Sequence, residues 1–289
     1  MGVSRRVLAA AGALLLAVVG ATSAAPRAGR PLRGIKTWAV YYGAAPEAAA
    51  DLARFDVVVL DAHRHPPLEA VKRRGALVLV YLSLGEINVH HPSYGVIAAE
   101  PWVLDANPHW PEARRLDVRA PACEQWLHER ATAALGPDVN GLFLDTADTP
   151  LELERGEPAR FHGMAIALDR VVRRLRATHP RAIIVMNGGL PLAEALAPVL
   201  DGVALESIRT DYDFTTKQYR RRPPAAAEAR AARLRGIAGL DLAVLTLEYA
   251  VPDDREWIDQ VIAASRADRF VPYVATIDLG QVFGFTLGR

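Results

Sequence analysis

Apolar residues cluster along the chain in short runs of strand length. Eight runs rich in Val, Ile, Leu and aromatic residues stand out. They are IKTWAVYYG (35–43), FDVVVLDAH (55–63), ALVLVYLSLGE (76–86) and GLFLDTAD (141–148), followed by AIIVMNGG (182–189), GVALESI (202–208), LAVLTLEYA (242–250) and VPYVATID (271–278). The runs are nearly continuous rather than alternating, which predicts strands buried on both faces, as in a parallel sheet covered by helices. Helical patterns fill most intervals. PEAAADLARF and PPLEAVKRRG are short and open on proline. Between 159 and 180, Phe161, Met164, Ile166, Leu168, Val171, Val172 and Leu175 are spaced as one apolar helix face. PLAEALAPVL, AAAEARAARLRGIAG and DDREWIDQVIAASR predict three more helices.

Strands alternating with helices over about 250 residues predict an α/β fold, the (β/α)8 or TIM barrel. A doubly wound open sheet is the alternative, but Tyr42-Gly43-Ala44-Ala45-Pro46 after the first strand is no Gly-rich phosphate loop. The tail DLGQVFGFTLGR is too short for a full eighth helix. An incomplete last helix and a loosely closed seam between first and last strands are therefore expected. The connection from Ile87 to the helix near Cys123 is long, and loops of that length in compact domains usually serve function. It carries Tyr94, Trp102 and Trp110, rings suited to one wall of a saccharide groove.

The first thirty residues stand apart from this pattern. Arg5 and Arg6 precede an apolar segment over 7–20, and small residues follow near Ala24. This reads as a cleavable signal over 1–24, with a single domain over 25–289 exported to the periplasm or the outside; a retained N-terminal anchor is the alternative. The chain carries 34 basic and 33 acidic residues, and cleavage removes two basic ones and no acid, moving the net charge from +1 to −1. A nearly neutral chain has no field that recruits nucleic acid or anionic membrane. Cys123 is the only cysteine, so no internal disulfide forms and its thiol is expected to be inert. The sequence does not express an oligomeric state.

In such a barrel the active site lies at the C-terminal ends of the strands. Those ends carry Tyr41 with Tyr42, Asp61, Glu86, Asp145 with Asp148, Asn187, Glu206, Glu248 with Tyr249, and Asp278. Six of the eight close on an acid, whereas opposite ends such as Ala76, Ala182 and Val271 are apolar. Glycosidic hydrolysis needs two carboxyl groups, one protonated to assist the leaving group and one ionised to attack or to activate water. The fourth and sixth strand ends lie about a quarter-turn apart, which makes Asp145 and Glu206 the expected pair, with Glu86 or Glu248 able to replace either. No cofactor is required. A metal site is the competing chemistry, since His63 and His65 follow the second strand, but the fifth and sixth ends carry Asn187 and Glu206 where such barrels add histidines. His90 and His91 are expected as a solvated pair in the long connection.

The fragments GLFLDTADT, YLSLGE, NPHWPEARRLDVR, VMNGG, GVALESI, LTLEYA and VPYVATIDL, in this order, resemble glycoside-hydrolase family 114, the endo-α-1,4-polygalactosaminidase family of exported TIM-barrel hydrolases. The resemblance implies that Asp145 is the nucleophile and Glu206 the general acid/base of a retaining mechanism. It also implies that Glu86, Asn187 and Glu248 line the substrate groove. Tyr41, Asp61, Asp148, Tyr249 and Asp278 join them as binding candidates from their strand-end positions. A deacetylated hexosamine is a cation near neutral pH, and so many carboxylates favour a cationic amino-sugar polymer as the polysaccharide partner. A glycosidase of another sugar or linkage and a non-catalytic carbohydrate-binding barrel share these residues. The basic run RRRPPAAAEARAARLR is expected as a solvated helix face, and Tyr212, Phe214 and Tyr219 after the sixth strand as groove aromatics.

Overall fold

The computed structural model describes residues 31–287, so the expected signal over 1–24 lies outside the described residues. The strands, in chain order, are β1 (Trp38–Tyr41), β2 (Val57–Leu60), β3 (Leu77–Ser83), β4 (Glu86–Asn88), β5 (Val103–Asn107), β6 (Trp110–Leu116) and β7 (Gly141–Asp145). They continue with β8 (Ile183–Asn187), β9 (Gly202–Glu206), β10 (Thr210–Asp213), β11 (Gln218–Arg221), β12 (Ala243–Tyr249) and β13 (Val271–Ala275). All eight expected strands form one parallel sheet in the order β1-β2-β3-β7-β8-β9-β12-β13. Helices such as Pro121–Ala134, Met164–Thr178, Pro224–Ala238 and Arg255–Ala267 fill the intervals. This is a nearly closed TIM barrel.

The ladder stops between β1 and β13. There the indole Nε1 of Trp38 donates to the carbonyl of Val271 (2.9 Å), and the Tyr42 amide donates to the carbonyl of Leu279 (3.0 Å). The loosely closed seam expected from the short tail is thus bridged by one side chain and one loop contact. No helix follows β13 among the described residues.

Alternation along the strands sorts the core into two layers. Trp38, Leu79, Phe143, Val185, Ala204, Leu245, Leu247 and Tyr273 fill the barrel interior, with the Trp38 ring 6.1 Å from Phe143 and 6.2 Å from Tyr273. Val80, Leu82, Leu142, Leu144, Ile184, Met186, Val203 and Val244 pack outward against Leu168, Val171 and Leu175 of the helical layer. Each such side chain contributes about 1.5–3 kcal/mol on burial.

The helix read over 159–180 is broken in two, Pro158–Phe161 and Met164–Thr178, because Gly163 between them takes φ +89°. Ile166, placed on the apolar face, is 69% exposed; two residues from both Met164 and Leu168, it falls on the opposite side of the helix. The long connection after β3 is no loop either. It folds into a three-stranded antiparallel sheet in the order β4-β6-β5. A second excursion follows β9 as the hairpin β10–β11. No described helix is long and apolar enough to cross a membrane.

Candidate active site

A cleft of about 1220 Å3 opens at the C-terminal ends of the barrel strands. Its floor is set by the last inward-facing position of each strand. Asp145 closes β7 and Glu206 closes β9, with Asn187 between them at the end of β8. The Asn187 side-chain amide donates to Oδ1 of Asp145 and to Oε1 of Glu206, 2.8 Å in each case. These two carboxylate oxygens therefore lie no more than twice 2.8 Å apart. The Tyr249 hydroxyl donates to the other oxygen of Glu206 at 2.6 Å. The Tyr81 hydroxyl bonds Asp145, and Tyr42 packs edge-on against Tyr81 at 5.4 Å between ring centres.

The backbone turns sharply just after each acid. Thr146 has φ +56° and Ser207 φ +54°, left-handed conformations that non-glycine residues rarely adopt. Thr146 is held there by its hydroxyl, which donates to the Asp145 carbonyl (2.8 Å) and accepts the Gly85 amide (2.8 Å). Ser207 donates its amide to the Leu247 carbonyl (2.8 Å), and its own carbonyl accepts from Nε of Arg222 (3.1 Å). Gly85 has no room for a side chain, since a Cβ there would stand 2.5 Å from the Thr146 carbonyl oxygen. The left-handed step leaves each carboxyl at the cleft while the chain departs.

Burial raises the pKa of both acids above the ordinary carboxylate range. For Glu206 the charge of Asp145 adds to burial, and the bonds from Tyr249 and Asn187 oppose it. For Asp145 the bonds from the Thr146 amide, Asn187 and Tyr81 oppose burial. Asp145 thus accepts from three groups and Glu206 from two, and only Glu206 feels its partner's charge among its leading influences. Burial also raises the Tyr42, Tyr81 and Tyr249 phenols, so they stay protonated as donors.

Glu86 opens β4 and is 6% exposed. Its Oε1 accepts from Asn107 Nδ2 and from Thr149 Oγ1, both at 2.7 Å, and the residue lines the cleft. Asp61 and Asp278 also line the cleft, at its rim. Asp61 accepts the amides of His63 and Arg64 (2.8 and 2.7 Å); Asp278 accepts from the Thr276 hydroxyl (2.7 Å), the largest of the contacts that hold its pKa below the ordinary range.

Three expected binding residues stand elsewhere. Glu248 is fully buried and shares its strand parity with the outward Val244; both its oxygens accept from the Arg209 amide at 3.1 Å, and its Oε2 also takes the Thr210 amide (3.0 Å) and hydroxyl (2.7 Å). It anchors the base of β10 instead of lining the cleft. Tyr41 likewise faces away, its hydroxyl accepting the Ala45 amide (3.3 Å), and Tyr42 takes the inward position. Asp148 accepts the Gly189 amide (2.9 Å) and fills the space beside Gly188, where a Cβ would lie 2.3 Å from its Oδ2. It ties the turn after β7 to the NGG turn after β8.

Of the aromatic residues in the long connection, Trp110 lines the cleft, while Trp102 is buried against Trp126 and Tyr94 packs on the core. Tyr212 and Phe214 line it from the second excursion; the Tyr219 hydroxyl instead accepts the Ile277 amide (3.0 Å). Tyr81, Asn107, Thr149 and Arg130 are contributors that strand-end reading missed. Tyr81 was legible as the inward neighbour of Ser83, two residues on; the others come from a hairpin and two helices with no local signal.

Burial, with help from Arg130 and His63, pushes the His91 imidazole down to about 4. His63 meets the His91 ring edge-on at 5.6 Å, and His65 Nδ1 lies 2.8 Å from the Pro66 carbonyl. Among the described residues no group of three or more His, Cys, Asp or Glu is arranged to hold a metal ion. Cys123 is buried, and burial raises its thiol to about 12.

The sequence profile of glycoside-hydrolase family GH114 matches residues 19–288. Among solved structures, the glycoside hydrolase domain of PelA from Pseudomonas aeruginosa superposes with a TM-score of 0.77 at 26% identity, covering 86% of this chain and 98% of that one. Ega3 of Aspergillus fumigatus, solved in complex with galactosamine, superposes with a TM-score of 0.63 at 13% identity, covering 84% and 92%. An α-galactosidase from Thermus thermophilus gives 0.54 at 14%, covering 88% and 62%. The last two likenesses concern the fold alone. No curated protein sequence matches the chain.

Proposed function

The chain belongs to glycoside-hydrolase family GH114, and from that premise we propose that it is an exported hydrolase that cuts α-1,4-linked, galactosamine-containing polysaccharide within the chain by a retaining mechanism. The observation that carries the mechanism is the shared Asn187 amide, which keeps the nearest oxygens of Asp145 and Glu206 within twice 2.8 Å. That bound accommodates the spacing of about 5–5.5 Å between the carboxyl groups of retaining enzymes, and the assignment of roles follows the family resemblance.

Asp145, ionised and rich in donors, attacks the anomeric carbon. Glu206 gives its proton to the glycosidic oxygen as the carbon–oxygen bond breaks, leaving a glycosyl ester on Asp145. Glu206, now a carboxylate, takes a proton from water, whose oxygen displaces Asp145 and restores both groups. Asn187 steadies both oxygens through the exchange.

The amino-sugar reading rests on the acids that flank this pair. Glu86 has Oε1 occupied by two donors, and its second oxygen is left for a substrate ammonium; Asp61 and Asp278 add negative charge at the rim. The galactosamine bound in the Ega3 structure supports the same class. Export follows from the signal-like 1–24 segment.

Reducing-end release from partially deacetylated α-1,4-galactosamine polymer tests the reading, using protein beginning at Ala25. Asp145→Asn and Glu206→Gln are each expected to abolish release with the fold intact. Activity surviving in both variants moves the chemistry to other acids, and cleavage of fully acetylated polymer at the same rate removes the case for a cationic substrate.

A further inference from the structure

The tips of the two excursions meet over the cleft. Trp110 opens β6 in the sheet that follows β3, and Phe214 lies in the turn of the hairpin that follows β9. Their ring centres are 4.5 Å apart, edge to face. Tyr212 backs Phe214 at 5.0 Å and is itself backed by Tyr219 at 5.0 Å. Trp110, Tyr212 and Phe214 line the same cleft as Asp145 and Glu206. The parent strands β3 and β9 flank β7 and β8 in the barrel, so a contact between their excursions passes above the strand ends that carry the catalytic pair.

Each excursion is held to the barrel along its length, and the two are joined to each other at their tips by ring contact alone. Glu248 takes the Arg209 and Thr210 amides at the root of β10, and Arg222 pairs with Asp211 (3.0 Å). Asn107, the cross-strand partner of Trp110, is tied to Glu86 (2.7 Å), and at the base the Leu116 amide donates to the Gly85 carbonyl (2.8 Å). Between the tips, among the described residues, no hydrogen bond or ion pair is formed. Trp110 remains 50% exposed and Phe214 47% exposed although they touch. An edge-to-face ring contact of this kind favours closure by only roughly two- to tenfold.

We infer that Trp110 and Phe214 form a detachable aromatic bridge over the catalytic cleft, which opens to admit the middle of a polysaccharide chain and closes to retain it between cuts. The inference rests on the hydrolase reading above and adds what that reading does not contain: successive cleavage of one chain per encounter. A polymer that protrudes at both ends of the cleft leaves only when the bridge parts. An oligosaccharide short enough to lie within the cleft leaves by its end.

The test measures dissociation of partially deacetylated α-1,4-galactosamine polymer, and of its tetrasaccharide, from immobilised Asp145→Asn protein, which holds without cutting. Polymer is expected to leave at least about tenfold more slowly than tetrasaccharide. Adding Trp110→Ala or Phe214→Ala should raise the polymer rate about tenfold, the tetrasaccharide rate less than threefold, and Phe214→Tyr should restore retention. Both truncated side chains are half exposed, and thermal melting checks that the fold survives. Equal acceleration of both ligands, or of neither, overturns the bridge. If the parent with Asp145 intact releases no reducing ends from polymer that the bridge nonetheless retains, the hydrolase reading falls and the bridge stands.

Discussion

Asp145 and Glu206 share one amide: Nδ2 of Asn187 gives one N–H to an oxygen of each, at 2.8 Å in both cases. Two carboxyl groups this close cannot both ionise cheaply, and the neutral amide between them, with one N–H for each, lowers the pKa of each without neutralising either. The spacing and the proton inventory of the site depend on that contact.

Asn187→Ala should therefore lower kcat by about a hundredfold, the scale for loss of one preorganised donor. With the donor gone both carboxyl pKa values rise, so the two limbs of the pH–rate profile should move to higher pH together. Steady-state rates across pH check both effects.

Tyr249→Phe removes a bond that Glu206 alone receives, at 2.6 Å. That bond lowers the Glu206 pKa, so its loss raises it. The alkaline limb, where Glu206 gives up its proton, should shift upward while the acidic limb stays, with kcat reduced about tenfold. Movement of the acidic limb instead would reverse the assignment of acid and nucleophile.

The same raised pKa values predict how stability varies with pH. Below about pH 4 the carboxyls are protonated in folded and unfolded chains alike. As pH rises the unfolded chain ionises first, so the stability associated with these groups is present at low pH and lost as pH climbs through the raised folded values. Glu206→Gln, which cannot ionise, escapes that loss. Its melting temperature should exceed the parent's by a few degrees at pH 8, and the gap should close toward pH 4.

Glu248→Ala leaves the Arg209 and Thr210 donors without a partner in a dry site. A loss of about 3 kcal/mol or more in urea unfolding is expected. A rise in KM at unchanged stability would return Glu248 to the substrate groove.

The barrel, and the meeting of Asp145 with Glu206 at one end of it, were legible because strand ends are marked twice, by where an apolar run stops and by the acid that stops it. What the runs concealed was which face each residue takes. Strands buried on both sides are apolar at odd and even positions alike, so nothing nearby says that Tyr42 rather than Tyr41, or Tyr249 rather than Glu248, points inward. The β4–β6 sheet was hidden for the opposite reason: PEARRL is too polar to read as a strand, and only pairing with β4 and β5 makes it one. Asn107 and Thr149 reach Glu86 across 21 and 63 residues of sequence, a distance that no local pattern spans.

The two excursions are moored to the barrel through Glu86, Gly85 and the buried Ile87, Trp102 and Leu116 on one side, and through Glu248, Tyr219 and Arg221 on the other. Neither contributes Asp145, Asn187 or Glu206. On the proposed function, the aromatic wall of the cleft and the carboxyl pair at its floor therefore come from different segments of the chain. Variation can exchange a hairpin, and with it the sugars accepted or the length of chain released, and leave the bond-breaking apparatus intact.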